Sequence, residues 1–482
     1  MLAVAYLVLS FVAVGAAGAR IDERNFSKDK IITRDVAIIG GGASGTYAAV
    51  RLREDLNTTI IVIEPQDRLG GHVQTYLVPE SNTTVEYGVQ SYIPYGGAEN
   101  FFDRFGVQKI PFAPRRLTAI NVDLTTSKSL TAYTPPASAA TTESFNKWLQ
   151  IVEKYEKLVE PGYWDYPLPE NIPEDLLTPF GEFAKKNGLE AAVPRIMAIS
   201  NVGVGGIKST LTQYVIKAFG APITRSVAAG SLFGPVGSNS LLYQKAYDLL
   251  KEDVLLHSYV QEAERSNSGV RLVVQNKEGK WLIKAKRILF TPPPSLDILK
   301  PFDVDKREKE VFKTWTDTWS FIGVAKIPCI PENYSINYFS PAAVPADHTA
   351  IRDANFTLRF DSTGPTGLGL FRILFATNYT ITEKEAKIGI ARKVQDLVTA
   401  GTLNYTGECK TEYRAFADHN SVLWKQTREQ LKSGFVQKLN ALQGHRSTWY
   451  TGGLWCSDYS SNVWVFTDTV LPKLLEGLKD SF

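Results

Sequence analysis

Cysteine is scarce in this chain of 482 residues: Cys329, Cys409 and Cys456 are the whole supply. That excludes a disulfide scaffold. At most one intrachain bridge can form, one thiol is left over, and the sequence does not choose the pair. Histidine is nearly as rare, with five residues, and no His/Cys/carboxylate group shows metal-ligand spacing, so no metal site is expected. No Gly-x-Ser-x-Gly nucleophile elbow occurs. Charge of one sign is missing too. The 53 basic and 50 acidic residues leave a net +3 with no Lys/Arg cluster, which gives no electrostatic footing for nucleic acid. Internal repeats and low-complexity tracts are absent.

The composition that remains, 44% hydrophobic and 21% charged, is that of a globular protein long enough to bury a large core. Residues 1–19 carry no charged side chain, and Leu2 to Val14 is an apolar run of signal-peptide length. Ala17-Gly18-Ala19 fits the small-x-small cleavage rule, so Arg20 would open a mature chain. An uncleaved anchor is the alternative, and the Gly and Ala that weaken the run favour cleavage. Seven Asn-x-Ser/Thr sequons, at Asn25, Asn57, Asn82, Asn333, Asn355, Asn378 and Asn404, agree with a secretory route: a secreted protein, or one in an organelle lumen, bearing N-glycans and keeping no membrane span.

Asp35 to Ile39 reads as a buried parallel strand, Ala43 to Leu56 as a helix, and Thr59 to Ile63 as a second buried strand. Gly40-x-Gly42-x-x-Gly45 sits between strand and helix. One glycine makes the tight turn, one admits a pyrophosphate, and one lets the helix pack on the strand. The helix N-terminus, with Ala43 and Ser44, offers its amides to phosphate. Glu64 ends the second strand nineteen residues after Gly45, where a carboxylate binds ribose hydroxyls. Arg68-Leu-Gly70-Gly71-His72 follows at once. A nicotinamide enzyme has no need of this second glycine pair; extended FAD lies along such a loop.

Glu64-x-x-x-Arg68-x-Gly70-Gly71-His72 resembles the signature that follows the βαβ unit in flavin amine oxidases, with His72 in place of their Arg. The resemblance implies that Arg68 anchors the pyrophosphate side, that Gly70 and Gly71 admit FAD, and that His72 lies near the flavin. Gly88 in Glu86-Tyr-Gly88 is implied beside the isoalloxazine, Val260 at the adenine, and Gly452 and Gly453 at the last FAD segment. There the acid usual in amine oxidases is missing, and the start of the following helix would face the flavin N1–C2 edge. Gly70-Gly71-His72, Gly162 to Pro169 and Leu442 to Gly452 are most similar to the fungal β-cyclopiazonate dehydrogenase family, over nearly the whole mature chain.

The expected fold is α/β: a glutathione-reductase-like (Rossmann) FAD-binding domain with an interleaved α+β substrate domain. The FAD part takes residues 20–98, 231–298 and 441–482; the substrate and cap part takes 99–230 and 299–440. Strands are expected at Val254–Val260, at a hairpin Val270–Gln275 and Trp281–Ala285, and separately at Ile288–Phe290. Others are expected at Phe321–Ile327, Ala350–Phe360 and Leu368–Thr377. Helices are expected at Phe145–Val159, Leu176–Asn187, Leu241–Leu250, Glu383–Leu397 and Ser461–Leu478.

The expected activity is hydride transfer from a small, specialised metabolite to flavin N5, giving desaturation or oxidative cyclisation, with oxygen or another electron acceptor. Alternatives are a secreted amine or amino-acid oxidase that makes hydrogen peroxide, a prenylcysteine oxidase-like enzyme, and a non-catalytic flavoprotein. An arginine for a substrate carboxylate would favour an amino-acid oxidase, and the sequence places none. Lys326, by resemblance, and His419, as a base titrating near neutrality, are the catalytic candidates. Trp319, Tyr338 and Trp455 are candidates for an apolar pocket, against the alternative of core packing.

Overall fold

A computed structural model describes residues 21–200, 202–423 and 425–478. The expected signal segment, residues 1–19, lies outside the described residues. Two seven-stranded sheets organise the chain. The first runs in the order β8 (Val254–Leu255), β2 (Ile60–Ile63), β1 (Ile31–Ile39), β11 (Gly279–Phe290), β10 (Gly269–Asn276), β9 (Tyr259–Ser266), and β18 (Thr448–Tyr450) also pairs β11. β1 is parallel to both β2 and β11. Its C-terminal half, Val36 to Ile39, is covered on both faces, hence the unbroken apolar run. The helix α1 (Ala43–Val50) begins after the glycines and widens into a π turn, Arg51–Asp55. Every residue from Ser44 to Val50 is buried, because the helix Ser460–Leu475 lies against its other side, stacking Trp464 on Tyr47 at 5.6 Å.

Two strands of this sheet differ from expectation. Val254–Val260 is not one strand. β8 and β9 occupy opposite ends of the strand order, joined by Leu256–Ser258, with His257 at φ 51°. Three residues reach about 10 Å, so the sheet must curl until its ends approach. Ile288–Phe290 is no separate strand either; it is the end of β11, whose start forms the β10–β11 hairpin.

The second sheet runs β16 (Glu412–Asp418), β12 (Thr316–Lys326), β15 (Leu370–Thr377), β14 (Phe356–Ser362), β13 (Tyr334–Phe339), β6 (Thr118–Asp123), and β17 (Ser421–Leu423) extends β12. Residues 350–355 are not strand: a short 3-10 turn, His348–Ala350, precedes β14. Side chains alternate with period two. Phe321, Ala325, Phe360, Phe371 and Ile373 meet Ile390 and Val394 of the helix Glu383–Thr399 on the outer face. That helix begins in a Thr382–Glu385 capping box. Ile322, Val324 and Leu370 point the other way, onto Val78 and Val85 of the hairpin β3 (Thr75–Val78) and β4 (Thr83–Glu86). A small pair, β5 (Lys109–Pro111) and β7 (Phe233–Pro235), flanks them.

Cys329 and Cys409 form the one bridge, within the outer-face core, and Cys456 is the buried free thiol. All seven sequon asparagines are exposed. Among the described residues no helix is long and apolar enough to cross a membrane. The last helix ends at Leu475, three residues beyond Pro472 and short of the expected Leu478.

Candidate cofactor and substrate site

Glycine is compulsory at the centre of this site. A Cβ on Gly45 would stand 1.9 Å from the Gly40 carbonyl oxygen, and one on Gly71 2.9 Å from the Gly42 Cα. The Arg68–His72 loop therefore lies directly against the Gly40–Gly45 turn. Gly40 and Gly70 adopt φ of 91° and 112°, a region closed to most side chains. α1 starts at Gly42 with no side-chain cap, so its first amides, at Ala43, Ser44 and Gly45, stay available to an anion. The Thr46 hydroxyl donates to the Gly41 carbonyl and the Thr291 hydroxyl to those of Ile39 and Gly40, bracing the turn.

Glu64 is 4% exposed. Its carboxylate accepts from the Gly41 amide at 2.6 Å and the Gln66 amide at 2.8 Å. Burial pushes its pKa up, opposed by these amides and by Arg68. Arg68 does not point away from its loop: it donates to the Leu69 and Gly71 carbonyls, both at 3.1 Å, and so stiffens the glycine pair. Glu64 also orders the next segment, since its main chain bonds Leu255 and Ser258 and that of Gln66 bonds His257. Val260 follows at the start of β9, 8% exposed and paired with Val274. Gly88 packs beneath residues 72–74, where a Cβ would strike the His72 carbonyl.

Gly452 (φ 115°) lies over Thr291, and a Cβ on Gly453 would strike Asp458. Lys217, which the sequence did not single out, donates to the Gly453 carbonyl at 2.6 Å. The start of the helix Ser460–Leu475 is where expectation and structure part. It faces the carboxylate of Glu160, which accepts from Ser457 at 2.5 Å and Asn462 at 3.1 Å. Burial pushes the Glu160 pKa up to about 7. Cys456 lies in the same pocket, its thiol held well above its ordinary pKa by burial.

The structure does not bring Lys326 and His419 together. The His419 amide bonds the Ser320 carbonyl, six residues back along β12 from Lys326. Six residues of strand put about 20 Å between them. His419 is the one beside the glycine loop: its ring stacks on His72 with centroids 4.2 Å apart. His419 Nε2 is buried without a partner among the described residues. Burial, then the nearby His72 and Arg68, hold its pKa well below the usual imidazole value, so the ring is neutral. Tyr338 and Trp319 belong to the outer-face core, and Trp455 stacks on Tyr450. None of these three is an open pocket wall.

Residues 38–105 match the family model of the NAD(P)-binding Rossmann-like domain. FAD-dependent oxidoreductase pigF of Monascus ruber is 32% identical over 99% of this chain and 100% of its own length. The β-cyclopiazonate dehydrogenase of Aspergillus oryzae is 32% identical over 97% and 98%. The chain belongs to this family of FAD-dependent oxidoreductases. Among solved structures, the CLA-producing fatty acid isomerase from P. acnes shares the fold (TM-score 0.69, 18% identity, 93% of this chain and 99% of that one). So does a putrescine oxidase variant (TM-score 0.60, 13% identity, 92% and 100%). The residues of this FAD-dependent oxidoreductase fit its cofactor: three glycine segments leave main chain where side chains would intrude, and the uncapped helix start has free amides that would suit a pyrophosphate.

Proposed function

We propose that this enzyme desaturates or oxidatively cyclises a small specialised metabolite, and that His419 accepts the proton released. Bound FAD supplies the acceptor for a hydride equivalent from a substrate C–H bond. The chain has to do the rest. Gly40, Gly42, Ala43, Ser44, Gly45 and Glu64 hold the adenosine and pyrophosphate half, with Val260 at the adenine. Arg68 keeps the Gly70–Gly71 loop in shape, and Gly88, Gly452 and Gly453 shape the flavin end. A substrate that gives up a hydride equivalent and becomes unsaturated must also give up a proton. The unpartnered Nε2 of His419, beside His72, is the observation that carries this reading. The ring is unprotonated at neutral pH and so has a free lone pair to take up that proton.

Residues 20–98, 231–298 and 441–482 form the cofactor part in this reading, and 99–230 and 299–440 the substrate part. We further propose entry into the secretory pathway, N-glycans on the seven exposed asparagines, and oxygen as electron acceptor. The Cys329–Cys409 bridge supports an oxidising compartment. The test is stopped-flow bleaching of the flavin band near ~450 nm by candidate metabolites, with peroxide assayed on reoxidation. A pigmented protein whose His419→Asn variant bleaches as fast as the parent would remove His419 from the reading.

A further inference from the structure

The inner face of the second sheet carries two guanidiniums and one carboxylate, and a third guanidinium lies in the turn before β14. Arg359 of β14 and Arg372 of β15 both pair with Asp361, at 2.8 and 2.7 Å. Arg352, in the turn before β14, is 8% exposed and has no acidic partner among the described residues. Its hydrogen bond runs from Nη1 to the Val202 carbonyl, 2.8 Å away, and the charge acting on it is another guanidinium, Arg359. Arg359 Nε is itself buried without a partner, while its Nη1 donates to the Ala198 carbonyl. Lys425 brings a fourth cation, bonded to the Val204 carbonyl at 3.3 Å.

Buried cations are ordinarily matched by anions, since a main-chain carbonyl offsets only part of the cost of stripping water from a guanidinium. The same chain observes that rule elsewhere. Arg265 is fully enclosed and is met by Glu308 through two bonds, at 2.7 and 2.9 Å, and by Asp303 at 3.0 Å. At Arg352 the partner is instead a single neutral carbonyl, that of Val202, beside a glycine-rich loop. Gly203, Gly205 and Gly206 all adopt positive φ, and the Gly205 amide bonds the Ala354 carbonyl. The loop orients the guanidinium without neutralising it.

The cluster lies toward the end of the sheet that carries His419. Ser320, whose carbonyl accepts from His419, pairs with Ala376, and Ala376 pairs with Thr357. Arg359 is two residues further on the same face. Two strand spacings and two residues separate Ser320 and Arg359 by about 12 Å, a span suited to one metabolite-sized molecule.

We propose that the substrate carries a carboxylate, and that Arg352 and Arg359 receive it while the carbon to be oxidised lies beside His419. This rests on the oxidoreductase reading above and names its substrate class. A planar anion can take a guanidinium side-on through two bonds, which gives orientation as well as affinity.

The test is titration calorimetry on the FAD-loaded protein with two matched probes, 4-phenylbutyrate and its neutral amide. The acid is expected to bind the parent at least about tenfold more tightly than the amide, and Arg352→Met is expected to erase that ratio. Arg352→Lys, measured alongside, keeps a reduced preference because it keeps charge but not the fork. Equal affinities in the parent, no detectable binding of the acid, or a ratio unchanged in Arg352→Met and Arg359→Met overturns the proposal. A variant with a lowered melting temperature and an unchanged ratio does so too, since that is a packing role. Calorimetry does not need the flavin. A colourless protein that still prefers the acid would sink the oxidoreductase reading and leave the anion site standing, whereas a coloured one without preference would do the reverse.

Discussion

The imidazoles of His72 and His419 stack 18° from parallel, joining the tip of the cofactor loop to the end of β16 in the substrate sheet. Residues 347 positions apart thus share one contact at the junction of the two halves, and His419 Nε2 is left there without a partner.

Replacing His419 by Asn is expected to lower kcat by about 10²-fold or more, with FAD content unchanged, because a positioned proton acceptor contributes that much. The same variant carries a pH signature. The imidazole pKa is depressed in the fold, so the unfolded chain takes up the proton first as pH falls through about 6.5, and stability is lost on the acid side. The melting temperature of the parent should therefore fall more steeply than that of His419→Asn below that pH.

Lys326→Met is expected to leave the turnover number within about twofold of the parent, a surface-scale effect. A larger loss, measured with the substrate that bleaches the flavin, would place Lys326 at the chemistry despite its position at the far end of β12.

Gly45→Ala has no room. With the Gly40 oxygen 1.9 Å from the new Cβ, the turn must open, and the purified protein is expected to come off the column without flavin absorbance. Retention of full FAD occupancy would contradict the close contact of α1 with β1.

Glu160 gives the opposite pH slope to His419. Its pKa is raised to about 7, so between the ordinary carboxylate value and 7 the folded protein binds more protons than the unfolded chain. Stability then declines as pH rises through that window, by about 3 kcal/mol in all. Glu160→Gln should flatten the decline, and unfolding curves at pH 5 and pH 8 read the difference.

Arg265→Met strands the Glu308 carboxylate, which is enclosed with it at 1% side-chain exposure. A cost of about 3–5 kcal/mol is expected in denaturant unfolding. Arg265→Met with Glu308→Leu should recover part of it.

The sequence made the nucleotide unit legible because its signals are local: Asp35–Ile39, the glycines 40–45 and Glu64 all lie within one βαβ stretch. The Val254–Val260 strand misled because a β-branched run does not disclose that His257 takes a left-handed turn within it. The Ala350–Phe360 expectation failed for a similar reason, since a 3-10 turn and a loop precede β14 without a strong local break. Arg352 and Arg359 were invisible as a pair: an arginine is conspicuous only when its missing counter-ion is known, and that is a tertiary fact. His419 reads in the sequence as a base titrating near neutrality, because the His72 ring stacked on it and the burial that depress its pKa are tertiary facts.

β1 pairs with β11 across some 250 positions of sequence, β18 adds to β11 only at residues 448–450, and the helix Ser460–Leu475 completes the cover of α1. The earliest-made segment of the described chain is therefore finished by the latest. During synthesis the Gly40–Gly45 turn leaves the ribosome hundreds of residues before Thr291 and the last helix, and in that interval β1 has only β2 beside it, its other edge waiting for β11. A nascent chain of this topology depends on chaperones for longer than its compact finished form would suggest, and its cofactor can be seated firmly only after the last helix has arrived.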